Sequence, residues 1–506
     1  MIQTLFAIIP IAWLILSLAV FRIRGDLACL IGLVITIVTS IFAFDFKVTD
    51  SLTAALEGAM MGFWPIVYII VAAVFTYNLT TASGGMSVIK QLLTSISNDR
   101  RILVLILAWG FGGFLEAIAG FGTAVAIPAS ILVALGMKPL RAALICLIAN
   151  TTPTAFGAIG LPVTTLAQVT GLEVKQLSVI VSIQLFLLIV AIPFVLVFLA
   201  EEGDRSFKGI FGLTLASGLS FALPQIVISH YLGAELPSII GSLLCILVTV
   251  LFVKLKEKGN VSSETAEPVS LKEGVMASLP FLLVFIFIML TSSLFPAINQ
   301  LLSKVSTTFS IYTGDHAKPY TINWLTSPGT MIILATVLAG LGQGMSIGQI
   351  GQILARSIKQ LTKTMVTVAS IVALSKVMSY SGMIGTIAVS LVAVTGGFYP
   401  FIAPIIGSLG TFITGSDTSA NVLFGELQVK AASNLNMNPY WLAAANMSGA
   451  TAGKMISPQS IAVAAVAIGL EGQEGRLLKE VMKFCFLYIL LTCLVVFIMG
   501  KALGYL

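Results

Sequence analysis

The chain has 506 residues, 58% of them hydrophobic and only 9% charged, with a mean hydropathy of +1.04. Too little polar surface is available to clothe a soluble globule, so the composition points to a polytopic membrane protein. A net charge of +6 and a pI of about 9.0 raise the question of a nucleic-acid partner. The basic residues instead sort by side of a membrane, which excludes nucleic acid and leaves the lipid bilayer as the partner.

Apolar segments of spanning length, about 20 residues, fall at 2–21, 27–44, 55–78, 177–200, 209–232, 235–254, 275–297, 328–345, 364–381 and 477–500. The first has no basic residue before it and no small-residue cleavage site, so it is read as a retained helix. With two interrupted spans these make about twelve crossings. The run at 86–96 is amphipathic and is expected along the interface. Cys29, Cys146, Cys245, Cys485 and Cys493 lie in apolar runs without metal spacing. They are read as small core residues, and no metal, cofactor or disulfide set is expected.

If the crossings alternate from an outside Met1, 18 of the 27 Lys and Arg residues fall on one face and 5 on the other. Lys376, Lys430, Lys454 and Lys483 stay unassigned within or near helices. The richer face is expected to be cytoplasmic, with both termini outside.

Two stretches break the apolar pattern in the same way. Thr414-Gly-Ser-Asp-Thr-Ser-Ala-Asn421 is polar between the apolar runs 398–413 and 422–429, and Gly120-Phe-Gly-Thr123 separates 102–117 from 124–136. Arms too short to cross, joined by a polar tip, predict two re-entrant hairpins, at 102–136 and 398–436. Non-helical backbone at membrane depth survives only when buried in protein or lining a cavity, so each tip is a candidate binding site.

Each hairpin is followed by an interrupted helix. Residues 138–168 break at Asn150-Thr-Thr-Pro-Thr154, and 438–470 break at Asn446-Met-Ser-Gly-Ala-Thr-Ala-Gly-Lys454 before Ser457-Pro-Gln-Ser460 restarts the helix. Pro in a first turn and hydroxyl or amide caps suit such restarts. Punctuation recurs at offsets of about 300 residues, the mark of duplication. Gly120 and Thr123 match Gly415 and Thr418; Asn150, Thr152, Gly157 and Pro162 match Asn446, Ser448, Gly453 and Pro458; Gly171-Leu-Glu173 matches Gly469-Leu-Glu471.

The charge count runs the segments 55–78 and 364–381 in opposite directions, so the repeats are inverted. The expected fold is an all-α polytopic membrane protein of two inverted repeats, with about 12 transmembrane helices, two re-entrant hairpins and two discontinuous helices. The N-terminal repeat is 1–205 and two connecting helices occupy 206–255. A cytoplasmic linker at 256–272 leads to the C-terminal repeat, 273–506. Such repeats place substrate and coupling-ion sites near the midplane, at discontinuous helices.

Ionisable residues within spans cost about 2.5–3.5 kcal/mol each, so Glu116, Asp417 and Lys454 must be compensated or functional. Asp417 also suits a helix cap, Lys454 a structural partner for either carboxylate, and Glu116 a hydrogen bond to backbone. Lys376 and the i,i+4 pair Glu426/Lys430 are read as packing or helix-face ion pairing. His230 and His316 are read as peripheral. There is no His-Glu-x-x-His and no nucleophile–base set, so no catalytic residues are expected and an enzyme is disfavoured.

Glu116-Ala-Ile-Ala-Gly-Phe-Gly-Thr123, Thr414-Gly-Ser-Asp-Thr-Ser-Ala-Asn421 and Gly453-Lys-Met-Ile-Ser-Pro-Gln-Ser460 resemble the signature stretches of the bacterial L-lactate permease family, along nearly the whole chain. The resemblance implies a secondary transporter of L-lactate, and of D-lactate or glycolate, moved with a proton across the cytoplasmic membrane. The alternative is a sodium-coupled carboxylate transporter, with unwound carbonyls, Ser416, Thr418 and Asn421 around the ion. The substrate is expected among Gly120, Gly122, Thr123, Asn150, Thr152, Ser416, Thr418, Ser419, Asn421, Asn446, Ser448 and Lys454. Within that set, Lys454 and the tip donors would hold the carboxylate, while Asn150, Thr152, Asn446 or Ser448 would bond the 2-hydroxyl. Proton coupling is assigned to a carboxyl group, Glu116 in preference to Asp417, because Phe114, Leu115, Ala117 and Ile118 surround it with apolar sequence.

Overall fold

The computed structural model describes residues 2–506 apart from 22, 119, 121, 202–206, 208, 257–268, 292–294, 316, 318 and 471–472. Phe121 of the first tip, Arg22, Arg205, Lys208, Lys258, His316, Lys318, Glu471 and most of the linker at 256–272 therefore lie outside the described residues.

The first half runs through α1 (Ile2–Ile15), α2 (Gly25–Ala43), α3 (Val48–Met61), α4 (Tyr68–Ala82), α5 (Gly85–Thr94) and α6 (Arg100–Val104). A π-helical stretch, Leu105–Phe111, joins α6 to α7 (Gly112–Ile118); α8 (Thr123–Ala134), α9 (Pro139–Ala149), α10 (Gly157–Thr170) and α11 (Val174–Ala200) follow. Then come α12 (Phe211–Leu232), α13 (Pro237–Lys256), α14 (Leu271–Thr291) and α15 (Pro296–Ser303). The second half holds α16 (Pro328–Gly342), α17 (Ile347–Gln360), α18 (Thr362–Tyr380), α19 (Met383–Thr395), α20 (Tyr399–Thr414), α21 (Asp417–Leu435), α22 (Pro439–Ile456), α23 (Pro458–Ala467) and α24 (Glu474–Ala502). Among the described residues the only strands are β1 (Ser306–Phe309) and β2 (Tyr320–Asn323). They form an antiparallel ribbon with Ser306 opposite Asn323, and the Tyr320 hydroxyl donates to the Trp64 carbonyl.

Nine described helices are long and apolar enough to cross a bilayer, or up to eleven if each of two bent pairs counts as one span. The protein is a multi-pass helical membrane protein. The count of about twelve also includes α1 and α16, apolar helices of 14 and 15 residues. The five cysteines are buried and free, as a core role requires, and His230 is exposed, edge-on to Tyr231.

Each expected hairpin is a pair of helices joined at a glycine tip, although Arg100–Ile118 and Met383–Thr414, which contain the first arms, are themselves long and apolar enough to cross a bilayer. In the first, α7 and α8 meet at a tip whose Gly120 and Gly122 take φ of +58° and +86°; in the second, α20 and α21 meet at Gly415, at +73°. Only glycine adopts this region without strain, which is why the chain can reverse there. The arms are longer than the apolar runs suggested, because α21 continues through polar residues to Leu435. The second arms pack reciprocally. Gly122 of the first tip lies against Val463 of α23, and Gly425 of α21 lies against Leu166 of α10.

The first interrupted helix is broken where the sequence places it. α9 ends at Ala149, a 3-10 turn covers Thr152–Phe156, and Ala158, Ile159 and Gly160 carry φ of +43°, +59° and +72°, giving a bend of 46°. The second break is not at 446–454. α22 runs unbroken through Asn446, Ser448 and Lys454 to Ile456, and the chain opens only at Ser457. The small residues serve helix packing instead. A Cβ on Gly449 would sit 1.8 Å from the Pro404 carbonyl oxygen, one on Gly453 2.1 Å from that of Ser408, and one on Gly407 2.0 Å from that of Asn446. The glycines let the backbones of α20 and α22 approach closely, as small residues do between membrane helices.

Candidate substrate-binding cavity

The two tips and two breaks converge on one cavity of about 920 Å³. One wall is the second tip, Thr414 to Ser419. Glu116 and Gly120 of the first hairpin and Thr154, Gly157, Ala158 and Pro162 of the broken helix line the cavity as well. Lys454, Pro458 and Gln459 belong to the lining too, and Arg24, Asp26, Lys363 and Glu474 edge the mouth. The Arg24–Asp26 ion pair, 2.6 Å, belongs to this rim.

Glu116 is 4% exposed, and its Oε1 fills the space over two glycines. A Cβ on Gly157 would come within 2.8 Å of it and one on Gly120 within 3.5 Å. Asn150 lies beside this carboxyl group, and Oε2 is buried without a partner. Asp417 is the first residue of α21 and is also 4% exposed, with Thr154 and Thr411 alongside and neither oxygen hydrogen-bonded. The cap of α21 is Ser416, whose hydroxyl accepts from the Ser419 N–H at 3.3 Å, so Asp417 is left free of that duty.

Lys454 does not close on either carboxylate. Its ammonium donates to the Gly415 carbonyl at 2.8 Å, which ties the last turn of α22 to the second tip and leaves two of three N–H donors for the cavity.

Glu116, Gly120, Ser416, Asp417, Thr418, Ser419 and Lys454 of the sequence-derived set line the cavity; Gly122, Thr123, Asn150, Thr152, Asn421, Asn446 and Ser448 do not. Gly122 packs on Val463, and Thr123 donates to the Gly120 carbonyl at 2.8 Å. Asn150 and Thr152 are buried away from the cavity lining, with Asn150 Oδ1 and Thr152 Oγ1 unpartnered. Asn421 donates to the Pro162 carbonyl at 3.0 Å and accepts from Asn446 at 2.9 Å, while Ser448 donates to Gln184 Oε1 at 2.9 Å. These three use their polar atoms to fasten α10, α11, α21 and α22 together, away from the cavity lining. Thr154, Gly157 and Gln459 line the cavity without having been singled out. Gln459 was within reach, since it stands in the capped restart Ser457-Pro-Gln-Ser460.

The L-lactate permease family model matches residues 3–503. The chain belongs to the L-lactate permease family. This permease is 81% identical over 444 residues to the L-lactate permease of Streptococcus iniae, covering 88% of this chain and 94% of that one. It is 36% identical over 527 residues to the glycolate permease GlcA of Escherichia coli K12, covering 96% and 94% of the two chains. Among solved structures, the Alcanivorax borkumensis YdaH transporter aligns over 89% of this permease and 88% of that chain, at 15% identity and a TM-score of 0.48.

Proposed function

We propose that the chain carries L-lactate, and related 2-hydroxy monocarboxylates such as D-lactate and glycolate, across the bacterial cytoplasmic membrane together with a proton. The observation that carries this reading is the cavity where the hairpin tips meet: one lysine ammonium with donors to spare, beside two buried carboxyl groups. A monocarboxylate brings one negative charge, which one ammonium can neutralise through charge-assisted hydrogen bonds. The names of the relatives, lactate and glycolate permeases, agree with that substrate class.

Symport needs a group that holds a proton while the loaded site crosses and gives it up inside. Glu116 fits, because it is enclosed by the first tip and the Gly157 break, and an unpaired carboxylate is costly to bury there. Asp417, among Thr154 and Thr411, is assigned to balancing the Lys454 charge without a direct ion pair. Arg24 and Lys363 at the mouth belong to the positively charged face, so the cavity is read as open to the cytoplasm and both termini as outside.

The unpartnered oxygens of Glu116, Asn150 and Thr152 favour sodium coupling as the second reading. Uptake of labelled lactate into proteoliposomes separates the two. An imposed inward proton gradient is expected to drive accumulation without sodium, and accumulation that follows only a sodium gradient sinks the proton assignment.

A further inference from the structure

α23 starts abruptly. Ser457 is extended, its hydroxyl accepts from the Ser460 N–H at 3.2 Å, and Pro458 occupies the first turn. That restart puts Gln459 on the exposed first turn of α23, facing the cavity and leaning on the second tip; a Cβ on Gly415 would come within 2.5 Å of its Oε1. The Gly415 carbonyl is also the acceptor of the Lys454 ammonium. Lys454 and Gln459 therefore flank the same residue of the tip, one as a cation and the other as a neutral amide.

The amide is unengaged in the described structure, whereas three of the neighbouring hydroxyls are spent on the backbone and those of Thr418 and Ser419 line the cavity beside it. Thr414 donates to the Gly410 carbonyl at 2.8 Å, Thr154 to that of Thr151 at 2.6 Å, and Ser416 serves as the cap of α21. A hydroxyl both donates and accepts, and a glutamine amide offers both partners from one group. In a 2-hydroxy acid the hydroxyl is carried by the carbon next to the carboxylate. A carboxylate held by Lys454 thus brings the hydroxyl to the adjoining side of the tip.

We propose that Gln459 reads the 2-hydroxyl of the substrate while Lys454 holds its carboxylate, making Gln459 the residue that separates 2-hydroxy acids from plain fatty acids. This inference rests on the transport reading above and deepens it. A site built to hydrogen-bond a substrate hydroxyl disfavours the analogue lacking it, because its own polar group is left unpaired.

The test compares uptake of labelled L-lactate and propionate, which lacks only the hydroxyl, by purified full-length protein in proteoliposomes. The ratio of the two is taken within each preparation, so it does not depend on the yield of folded protein. Wild type is expected to prefer lactate, and Gln459→Met to lower the lactate-to-propionate ratio at least tenfold, about 1.4 kcal/mol of discrimination, chiefly by losing lactate. Gln459→Asn, which keeps an amide one methylene short, is expected to retain a ratio between the two. A wild-type ratio near one, an unchanged ratio in Gln459→Met, or equal loss of both acids overturns the assignment while leaving lactate transport standing. Absence of saturable lactate uptake by wild type overturns the transport reading itself.

Discussion

Lys454 of α22 donates to the carbonyl of Gly415, 2.8 Å away at the turn of the second hairpin. The cation is thereby fixed to the tip rather than spent on Asp417, both of whose oxygens lack hydrogen-bond partners. Arg in its place would present a planar fork where a compact ammonium now fits between backbone and cavity. We expect Lys454→Ala to raise the apparent KM for lactate at least tenfold, and Lys454→Arg to restore it incompletely. Initial-rate uptake over a range of lactate concentrations measures both, and an unchanged KM in Lys454→Ala removes this residue from the site.

The tips and the first break were legible because glycine and proline punctuate apolar sequence there with little else to do. The second break was misplaced because Asn446-Met-Ser-Gly-Ala-Thr-Ala-Gly looks the same whether small polar residues interrupt a helix or admit a neighbouring one. What decides between these is α20, whose Pro404 and Ser408 carbonyls meet Gly449 and Gly453. Contacts such as Asn421 to Pro162, 259 residues apart, have no local trace either. For that reason, fastening residues and cavity residues could not be told apart by residue type alone.

The α20–α22 seam gives a stability prediction. Gly449→Ala forces a methyl to within 1.8 Å of the Pro404 oxygen, which is backbone and cannot swing aside. Overpacking of this kind costs about 1–3 kcal/mol, and the second tip depends on the seam because α20 leads into it. Gly449→Ala is expected to lower the unfolding midpoint of the detergent-solubilised protein, whereas Gly385→Ala on α19, where a Cβ meets nothing within 4 Å, is expected to leave it unchanged. Equal midpoints for all three proteins contradict the seam.

Glu116 is assigned to the proton because it sits over Gly120 and Gly157 with one buried oxygen unpartnered. Gln copies the shape of a protonated Glu and cannot release the proton. Glu116→Gln is therefore expected to keep lactate binding and counterflow exchange while losing uphill uptake driven by a pH gradient. If Glu116→Gln still accumulates lactate and Asp417→Asn does not, the two carboxyl groups have exchanged roles.

Lys376, read from the sequence as serving packing or helix-face ion pairing, joins α18 to α3 by an ion pair with Glu57, 3.4 Å. Tyr380 donates to the same Glu57 oxygen at 2.7 Å, and the Tyr312 ring lies flat on that of Tyr380, with centroids 3.9 Å apart. Close packing makes the pair hard to solvate, since Gly58 of α3 and Gly62 just past its end lie against the backbone of Ala373 and Ala369. The Glu57 side chain is 4% exposed and that of Lys376 19%. Removing one partner of such a buried pair strands the other charge, at about 3–5 kcal/mol, while replacing both with apolar or neutral groups of similar size is close to neutral. Lys376→Met is thus expected to lower the thermal midpoint more than the double variant Glu57→Gln/Lys376→Met does. The three midpoints measured in one detergent decide the matter. If the double variant loses at least as much as Lys376→Met, the α3–α18 seam depends on the ion pair itself and not on avoiding a stranded carboxylate.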